Sequence, residues 1–246
     1  MPFQFSFSIP LLRMTRSIRG IALALVLSTA LDGSLLAQNA KGKLNDLIRE
    51  TQKQGVRSGR VTLVWWIPVE FWRAALNANG TVPAEKTEEM VASVSDVNVF
   101  IVVDAKIGAF AALTYEPQTE LEKNLSVIDP EGKPLGLIPE AKQSATTRNL
   151  VSMMKPLLSN MMGDLGKNLS FFIYEGKEKN GARRVDPTKD GTLIARLGAE
   201  EFKWRLPLGS LLPAKVCPKC SETFPGNYVF CPFDATALKD SNTEKK

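Results

Sequence analysis

The chain has 246 residues, of which 44% are hydrophobic and 23% charged, a composition typical of globular proteins and unlike that of disordered or collagenous chains. Histidine is absent, which excludes Ser-His-Asp and Cys-His nucleophiles and the histidine-dependent zinc proteases. The 31 basic and 26 acidic residues give a net charge of +5, but the lysines and arginines form no dense run. Nucleic-acid binders concentrate these residues in a stripe, so nucleic acid is not expected as a partner.

The N-terminus has the pattern of a secretory signal peptide. Three arginines precede an uncharged apolar stretch at residues 21–31, and small residues follow. Because a transmembrane helix needs about 20 apolar residues, a membrane span is not expected once the signal is removed. We predict a signal peptide over 1–37, cleaved after Ala37 or, as a second choice, Ala30. The chain would then be secreted or periplasmic; a buried helix or an uncleaved anchor is the alternative.

Residues 38–59 are polar, with Leu44, Leu47 and Ile48 spaced for one helix face, and predict a linker or short amphipathic helix ending near Gly55. The next segment, 60–213, is long enough to build a hydrophobic core of its own. Apolar and β-branched runs predict strands at 61–67 and 97–104, and helical spacing predicts helices at 69–76 and 83–94. Turn residues predict two hairpins: a return strand at 109–115 after a turn at 105–108, and strands 125–128 and 135–138 around a turn at 129–132.

The longest helical periodicity covers residues 145–165, where Pro156 is expected to kink or split the helix near Lys155. Three strands follow in succession, at 169–175, 192–197 and 201–206. Short connections between strands require antiparallel pairing. The predicted fold class is therefore α+β, a mostly antiparallel sheet with helices packed on one face. The apolar segment 206–213 is expected to pack on this domain and hold the tail close.

All three cysteines lie near the C-terminus, in two short motifs of the same form. Cys217 and Cys220 belong to a Cys-Pro-x-Cys turn, and Cys231 and Asp234 to a Cys-Pro-x-Asp turn. Each turn directs two side chains to one point, so two facing turns form a tetrahedral pocket suited to zinc, for which carboxylate oxygen is an accepted ligand. So small a module also needs a metal or disulfides to fold. A Cys217–Cys220 disulfide and a redox Cys-x-x-Cys remain open alternatives.

Residues 216–238 resemble the small bacterial zinc ribbons, which carry paired Cys-Pro-x-Cys knuckles around an aromatic hairpin. The resemblance implies a structural zinc ion held by Cys217, Cys220, Cys231 and Asp234. It places a zinc ribbon at 214–240, with a hairpin through Phe224 and 228–230 that turns at 225–227, before a disordered tail at 241–246. The family has glycine after each knuckle, whereas this chain has Ser221 and Ala235, at positions that favour a positive φ.

Other side-chain groups suggest less specific chemistry. Trp65, Trp66 and Trp72 could form a ligand platform, although aromatic residues on an apolar strand and helix are more often core. The methionines of the long helix could bind copper(I), although methionine more often fills core gaps. A catalytic carboxylate pair could be drawn from five residues: Asp96, Asp104, Glu116, Asp129 and Asp186.

No catalytic residue and no organic cofactor site can be assigned from the sequence. We therefore expect an exported, non-enzymatic protein whose structural zinc ribbon serves stability or binding of a protein partner. The alternatives are an exported enzyme that uses carboxylates of the main domain, or a polyanion-binding module that uses Lys215 and Lys219 of the ribbon.

Overall fold

The computed structural model describes residues 42–57, 59–79 and 82–241; the predicted signal peptide and residues 242–246 lie outside this range. The first helix, α1, covers 42–51 and leads directly into strand β1, Gln52–Arg57. The prediction of a linker or short helix over 38–59 is therefore wrong for its second half, which forms a strand. The polar composition of β1 does not indicate a strand. The segment forms one by pairing with β2, Arg60–Ile67, in an antiparallel hairpin that places Gln52 opposite Trp65 and Arg57 opposite Arg60.

The central sheet has five strands and is antiparallel throughout. Strand β3, Val97–Ile107, pairs with β2, Arg60–Ile67, along one edge. Its other edge is shared by β4, Leu113–Tyr115, and β6, Ser170–Glu175. The predicted turn at 105–108 is therefore too early, because β3 continues to residue 107 and the return strand is only three residues long.

Helices cover one face of this sheet: α2 (Val69–Asn79), α3 (Ala84–Ser93) and α5 (Ala145–Met162). Successive side chains of β2 point to opposite faces of the sheet. Leu63, Trp65 and Ile67 pack with the helices, while Val64 and Trp66 point to the opposite face. Trp65, Trp66 and Trp72 are all buried, which confirms the core interpretation of these residues.

A second antiparallel sheet covers the opposite face, in the order β5-β7-β8. Its strands are β5 (Leu125–Ile128), β7 (Gly191–Leu197) and β8 (Glu200–Leu206), and helix α4 (Gln118–Asn124) precedes β5. The fold class is confirmed as α+β and mostly antiparallel, but the strands form two packed sheets. The predicted turn at 129–132 is present, since Ile128 bridges Pro134 and the Leu135 N–H donates to the Val127 carbonyl at 2.8 Å. The predicted strand at 135–138 is wrong, because the chain then leaves β5 and Leu137 makes a single bridge to Tyr174 of β6.

Helix α5 passes through Pro156 and ends only at Gly163, which has φ +59. The short helix α6, Asp164–Lys167, follows. The helix thus does not split near Lys155, because buried contacts of Met154 and Leu158 hold the turns on both sides of the proline. Within the described residues, no helix has both the length and the apolar character required to cross a bilayer.

The elements α1 to β8, here called the α+β body, are followed by a connector, residues 206–213, that packs on them as expected. Leu208 is buried in the core between the two sheets. The carboxylate of Glu50 accepts hydrogen bonds from the backbone N–H groups of Gly209 and Ser210, at 2.8 and 3.1 Å. These contacts fix the point from which the C-terminal module starts.

Candidate metal centre

The C-terminal module, called the ribbon (residues 214–240), contains a three-stranded sheet in the order β10-β9-β11. Strand β9 is Lys215–Val216, β10 is Thr223–Phe224 and β11 is Lys239–Asp240. The predicted hairpin is therefore displaced: Phe224 pairs with Lys215, and of residues 228–230 only Phe230 makes a bridge, to Ala237. The sheet places the first cysteine directly after β9.

The two cysteine turns share the same backbone hydrogen bonds. In the first turn, the Ser221 N–H donates to the Cys217 carbonyl at 2.9 Å, and the Cys217 N–H donates to the Glu222 carbonyl at 2.9 Å. In the second, the corresponding bonds join Ala235 to Cys231 and Cys231 to Thr236, each at 2.8 Å. The repeated sequence motif therefore folds into a repeated knuckle.

Each knuckle closes on a residue in the left-handed backbone region, as the sequence predicted. Ser221 has φ 61° and Ala235 has φ 56°. A side chain bearing Cβ is disfavoured there, which is why glycine is the default residue at such positions. The turns thus keep the knuckle geometry with residues that are not the most favourable for it.

The knuckles bring together the four predicted ligands. One ligand atom from each of Cys217, Cys220, Cys231 and Asp234 lies within 4.8 Å of all the others. The Sγ atoms of Cys220 and Cys231 are 3.8 Å apart, and Cys217 Sγ lies 3.6 Å from Asp234 Oδ2. A tetrahedral site with Zn–S bonds of about 2.3 Å and a Zn–O bond of about 2.0 Å requires S–S and S–O separations of about 3.8 and 3.5 Å. These two contacts therefore have the spacing of a closed tetrahedral site.

The cysteines are unbonded to one another, since a disulfide requires about 2.05 Å between sulfur atoms. The N–H groups of Lys219 and Cys220 both approach Cys217 Sγ at 3.4 Å, an arrangement that stabilises a thiolate. The motif opens a turn after β9 rather than a helix, which is not the setting that activates redox Cys-x-x-Cys pairs.

The environment shifts the pKa values of three of the predicted ligands in different directions. Burial raises the pKa of the Cys217 thiol, but the N–H donors outweigh it and leave that pKa below its usual value. Burial raises the pKa of Cys231 to about 11. The Thr236 N–H donates to Asp234 Oδ1 at 3.0 Å and holds the pKa of Asp234 at about 2. The set thus includes a carboxylate anion and a thiol that would lose its proton on binding a cation.

The ribbon has little core of its own. Its buried cluster consists of Cys217, Cys231 and Phe224, whose ring contacts those of Tyr228 and Phe233 at centroid distances of 6.1 and 6.0 Å. Hydrogen bonds join the ribbon to the connector: the Gly226 N–H donates to the Gly209 carbonyl and the Asn227 side-chain amide to the Pro207 carbonyl, each at 3.3 Å.

The candidate carboxylates of the α+β body are held in ion pairs and turns. Asp104 and Glu116 come together, but around the Arg60 guanidinium, which lies 3.0 Å from Glu116 Oε1 and also bonds Asp104. The others are separately engaged: Asp96 with Lys177, Asp129 with Arg184, and Asp186 with Thr188. Sequence reasoning did not identify Arg60 as a partner, because the pairing depends on register between strands distant in sequence.

Two neighbouring methionines proposed for copper, Met153 and Met154, lie in different environments. Met154 is buried in the helical core, whereas Met153 is exposed to solvent. Sequence reasoning also missed the role of the Lys219, Cys220 and Thr236 N–H groups at the ribbon site, which follow from the knuckle turn and not from residue type.

Searches of protein-family models, curated proteins and solved structures give no match to this chain. Fold and site define it as an α+β protein with a C-terminal cluster of three cysteines and one aspartate close enough to hold a metal ion.

Proposed function

We propose that the ribbon binds one structural zinc ion and that the chain is an exported, non-enzymatic protein whose ribbon stabilises the C-terminus and contacts a partner. The observation that carries this proposal is the convergence of Cys217, Cys220, Cys231 and Asp234 from two matching knuckles. Three thiolates and one carboxylate in tetrahedral arrangement are a donor set that suits zinc.

A structural role is favoured over a catalytic one because the protein supplies all four ligands. Catalytic zinc sites keep three protein ligands and leave the fourth position to water or substrate. The ion pairing of Glu116 with Arg60 supports a non-enzymatic α+β body, since the hydrogen bond from Arg60 lowers the pKa of Glu116 and makes its carboxylate a weak general base. Export is supported by the signal-like pattern of residues 1–37.

The metal proposal is tested by measuring zinc per chain after purification under reducing conditions, alongside titration of free thiols. We expect about one zinc ion per chain, loss of zinc in Cys220→Ser, weaker binding in Asp234→Ala and tighter binding in Asp234→Cys, because thiolate is the commoner ligand of closed sites. Glu222→Ala removes an exposed carboxylate of the same module and is the matched control. No zinc together with two thiols consumed in a disulfide would reject the proposal.

Export is tested separately, by sequencing the N-terminus of the protein from the exported fraction. We expect the mature chain to begin at Gln38, or at residue 31 if the second cleavage site is used. Recovery of only full-length protein in the cytosol would contradict it without affecting the metal assignment.

A further inference from the structure

The hairpin that joins β3 to β4 ends in seven consecutive residues without a polar side chain. This apolar tip, residues 107–113, reads IGAFAAL, and every one of the seven is exposed. Ile107 and Leu113, a cross-strand pair at its base, are 40% and 41% exposed, and Phe110 at its end is fully exposed. Single exposed apolar residues are common on protein surfaces, but a contiguous apolar patch indicates an interaction site.

The conformation of the tip argues against a role in folding. Phe110 has φ 55° and Ala111 has φ 60°, so two successive residues with Cβ atoms occupy the left-handed region. That region is disfavoured for such residues, and strained positions tend to lie at functional sites. Phe110 also buries none of its ring within the chain. Its side chain therefore contributes nothing to the core and is available to contact another molecule.

Size and chemistry indicate what covers the tip. A stable protein–protein interface buries about 800 Å² on each partner, far more than a tip in which four of the seven residues are glycine or alanine can supply. The tip also has no polar side chain that could orient a protein partner. A lipid bilayer requires neither a large footprint nor a fixed orientation, only apolar area at the boundary between headgroups and acyl chains.

The base of the tip carries cations that are more exposed than the anions they pair with. Lys106 is 61% exposed and its partner Glu116 24%, while Arg57 is 41% exposed and its partner Glu200 16%. Each cation is paired, and Arg60 likewise bonds Asp104 and Glu116, so the net charge at the base is small. Cations would thus lie at headgroup level while the apolar area dominates the attraction.

The backbone of the tip is suited to such a position because its end is closed by internal hydrogen bonds. The Gly108 N–H donates to the Ala112 carbonyl at 2.7 Å, and the Ala112 N–H donates to the Ala109 carbonyl at 3.2 Å. Unpaired backbone groups are costly in hydrocarbon, and these bonds reduce their number.

We propose that the apolar tip inserts into the surface of a lipid bilayer, with Phe110 as the deepest side chain, and gives the protein a weak, reversible attachment to membranes. This inference is independent of the zinc proposal, because the tip belongs to the α+β body and contains no metal ligand. One short apolar tip provides only one of the two signals that stable anchoring needs, which is why reversible binding is expected.

The test is co-sedimentation of the mature chain with vesicles of phosphatidylcholine and phosphatidylglycerol, 3:1, at millimolar lipid. We expect the bound fraction to rise with lipid concentration and to change little with salt, and the partition coefficient to fall at least about tenfold in Phe110→Ser, the loss expected for one phenyl group. Met153→Ser, which removes an exposed apolar side chain from α5, is the matched control and should bind as the wild type does.

A second variant reports insertion directly. The native tryptophans are all buried, so in Phe110→Trp the added indole should be the one quenched by brominated lipids. Phe110→Gly should keep or raise the melting temperature, since glycine accepts a positive φ, while losing vesicle binding. Absence of wild-type binding, unchanged binding in Phe110→Ser, or an unquenched indole in Phe110→Trp would each overturn the proposal.

Discussion

The α+β body and the ribbon are stabilised in different ways. Among the described residues, the body together with Leu208 of the connector has two buried apolar clusters, of 19 and 15 residues, on the two faces of its central sheet. The ribbon's cluster has three members, two of them cysteines. A chain segment with so little core does not fold through hydrophobic burial alone, so we propose that a bound metal ion and contacts with the connector order the ribbon.

Removal of the metal should have the largest effect, and that effect should be confined to the ribbon. We expect a chelator under reducing conditions to abolish amide protection over the ribbon, because structural zinc supplies roughly 10–16 kcal/mol of apparent binding free energy in finger peptides. Hydrogen exchange measured by mass spectrometry checks this, and peptides from β2 and β3 serve as the internal control. A ribbon that stays protected without metal would contradict the comparison.

Truncation of a core side chain should destabilise the α+β body and leave the metal site of the ribbon unchanged. Trp204 is 1% exposed, contacts the rings of Trp66 and Phe100, and donates its indole N–H to the Thr51 carbonyl at 2.7 Å. We expect Trp204→Ala to lower the free energy of unfolding of the body by about 3–5 kcal/mol. Urea denaturation followed by circular dichroism measures the loss. The zinc content of the folded variant should stay unchanged; its loss would show that the two regions are not independent.

The contact between the ribbon and the connector should be disrupted by a single added methyl group. A Cβ at Gly226 would lie 2.4 Å from both Leu212 Cβ and the Pro213 carbonyl oxygen. Gly226→Ala should therefore displace the ribbon from the connector, at a cost of about 1–3 kcal/mol typical of overpacking.

Hydrogen exchange at residues 209–213 reports this displacement. Gly42→Ala, at a glycine with open space around it, is the control. Equal exchange rates in Gly226→Ala and the wild type would show that the contact between ribbon and connector tolerates the methyl group.

The smallest effect is expected at the ends of the knuckles. Ser221→Gly and Ala235→Gly should each stabilise the metal-bound ribbon by about 1 kcal/mol, because glycine adopts positive φ without the Cβ penalty. Competition with a zinc chelator of known affinity measures the gain. A weaker affinity in both variants would indicate that the Ser221 and Ala235 side chains contribute contacts of their own.

Local patterns predicted the site better than they predicted the sheets. The four clustered side chains of the ribbon lie within two short motifs, so spacing alone predicted that they would come together, and the positive φ of Ser221 and Ala235 followed from the same turn. The buried strands β2 and β3 were likewise marked by continuous apolar runs. By contrast, β1 is polar and becomes a strand only by pairing with β2.

The remaining differences also arise from tertiary contacts. The segment 135–138 is apolar enough for a strand, yet only Leu137 bridges to β6, while a 3₁₀ turn at Glu140–Lys142 follows Pro139. Residues 109–112 were predicted as the start of a return strand but form a turn, because β4 pairs with β3 over three residues only. Such choices depend on partners distant in sequence, which periodicity does not contain.

The central claim is that a metal bound by three sulfur atoms and one oxygen orders the ribbon. X-ray absorption at the zinc edge of the purified, reduced protein tests it most directly. The account predicts a first shell of three sulfur atoms at about 2.3 Å and one oxygen at about 2.0 Å, as tetrahedral coordination by Cys217, Cys220, Cys231 and Asp234 requires. A shell dominated by oxygen or nitrogen, or fewer than three sulfur atoms per zinc, would contradict it.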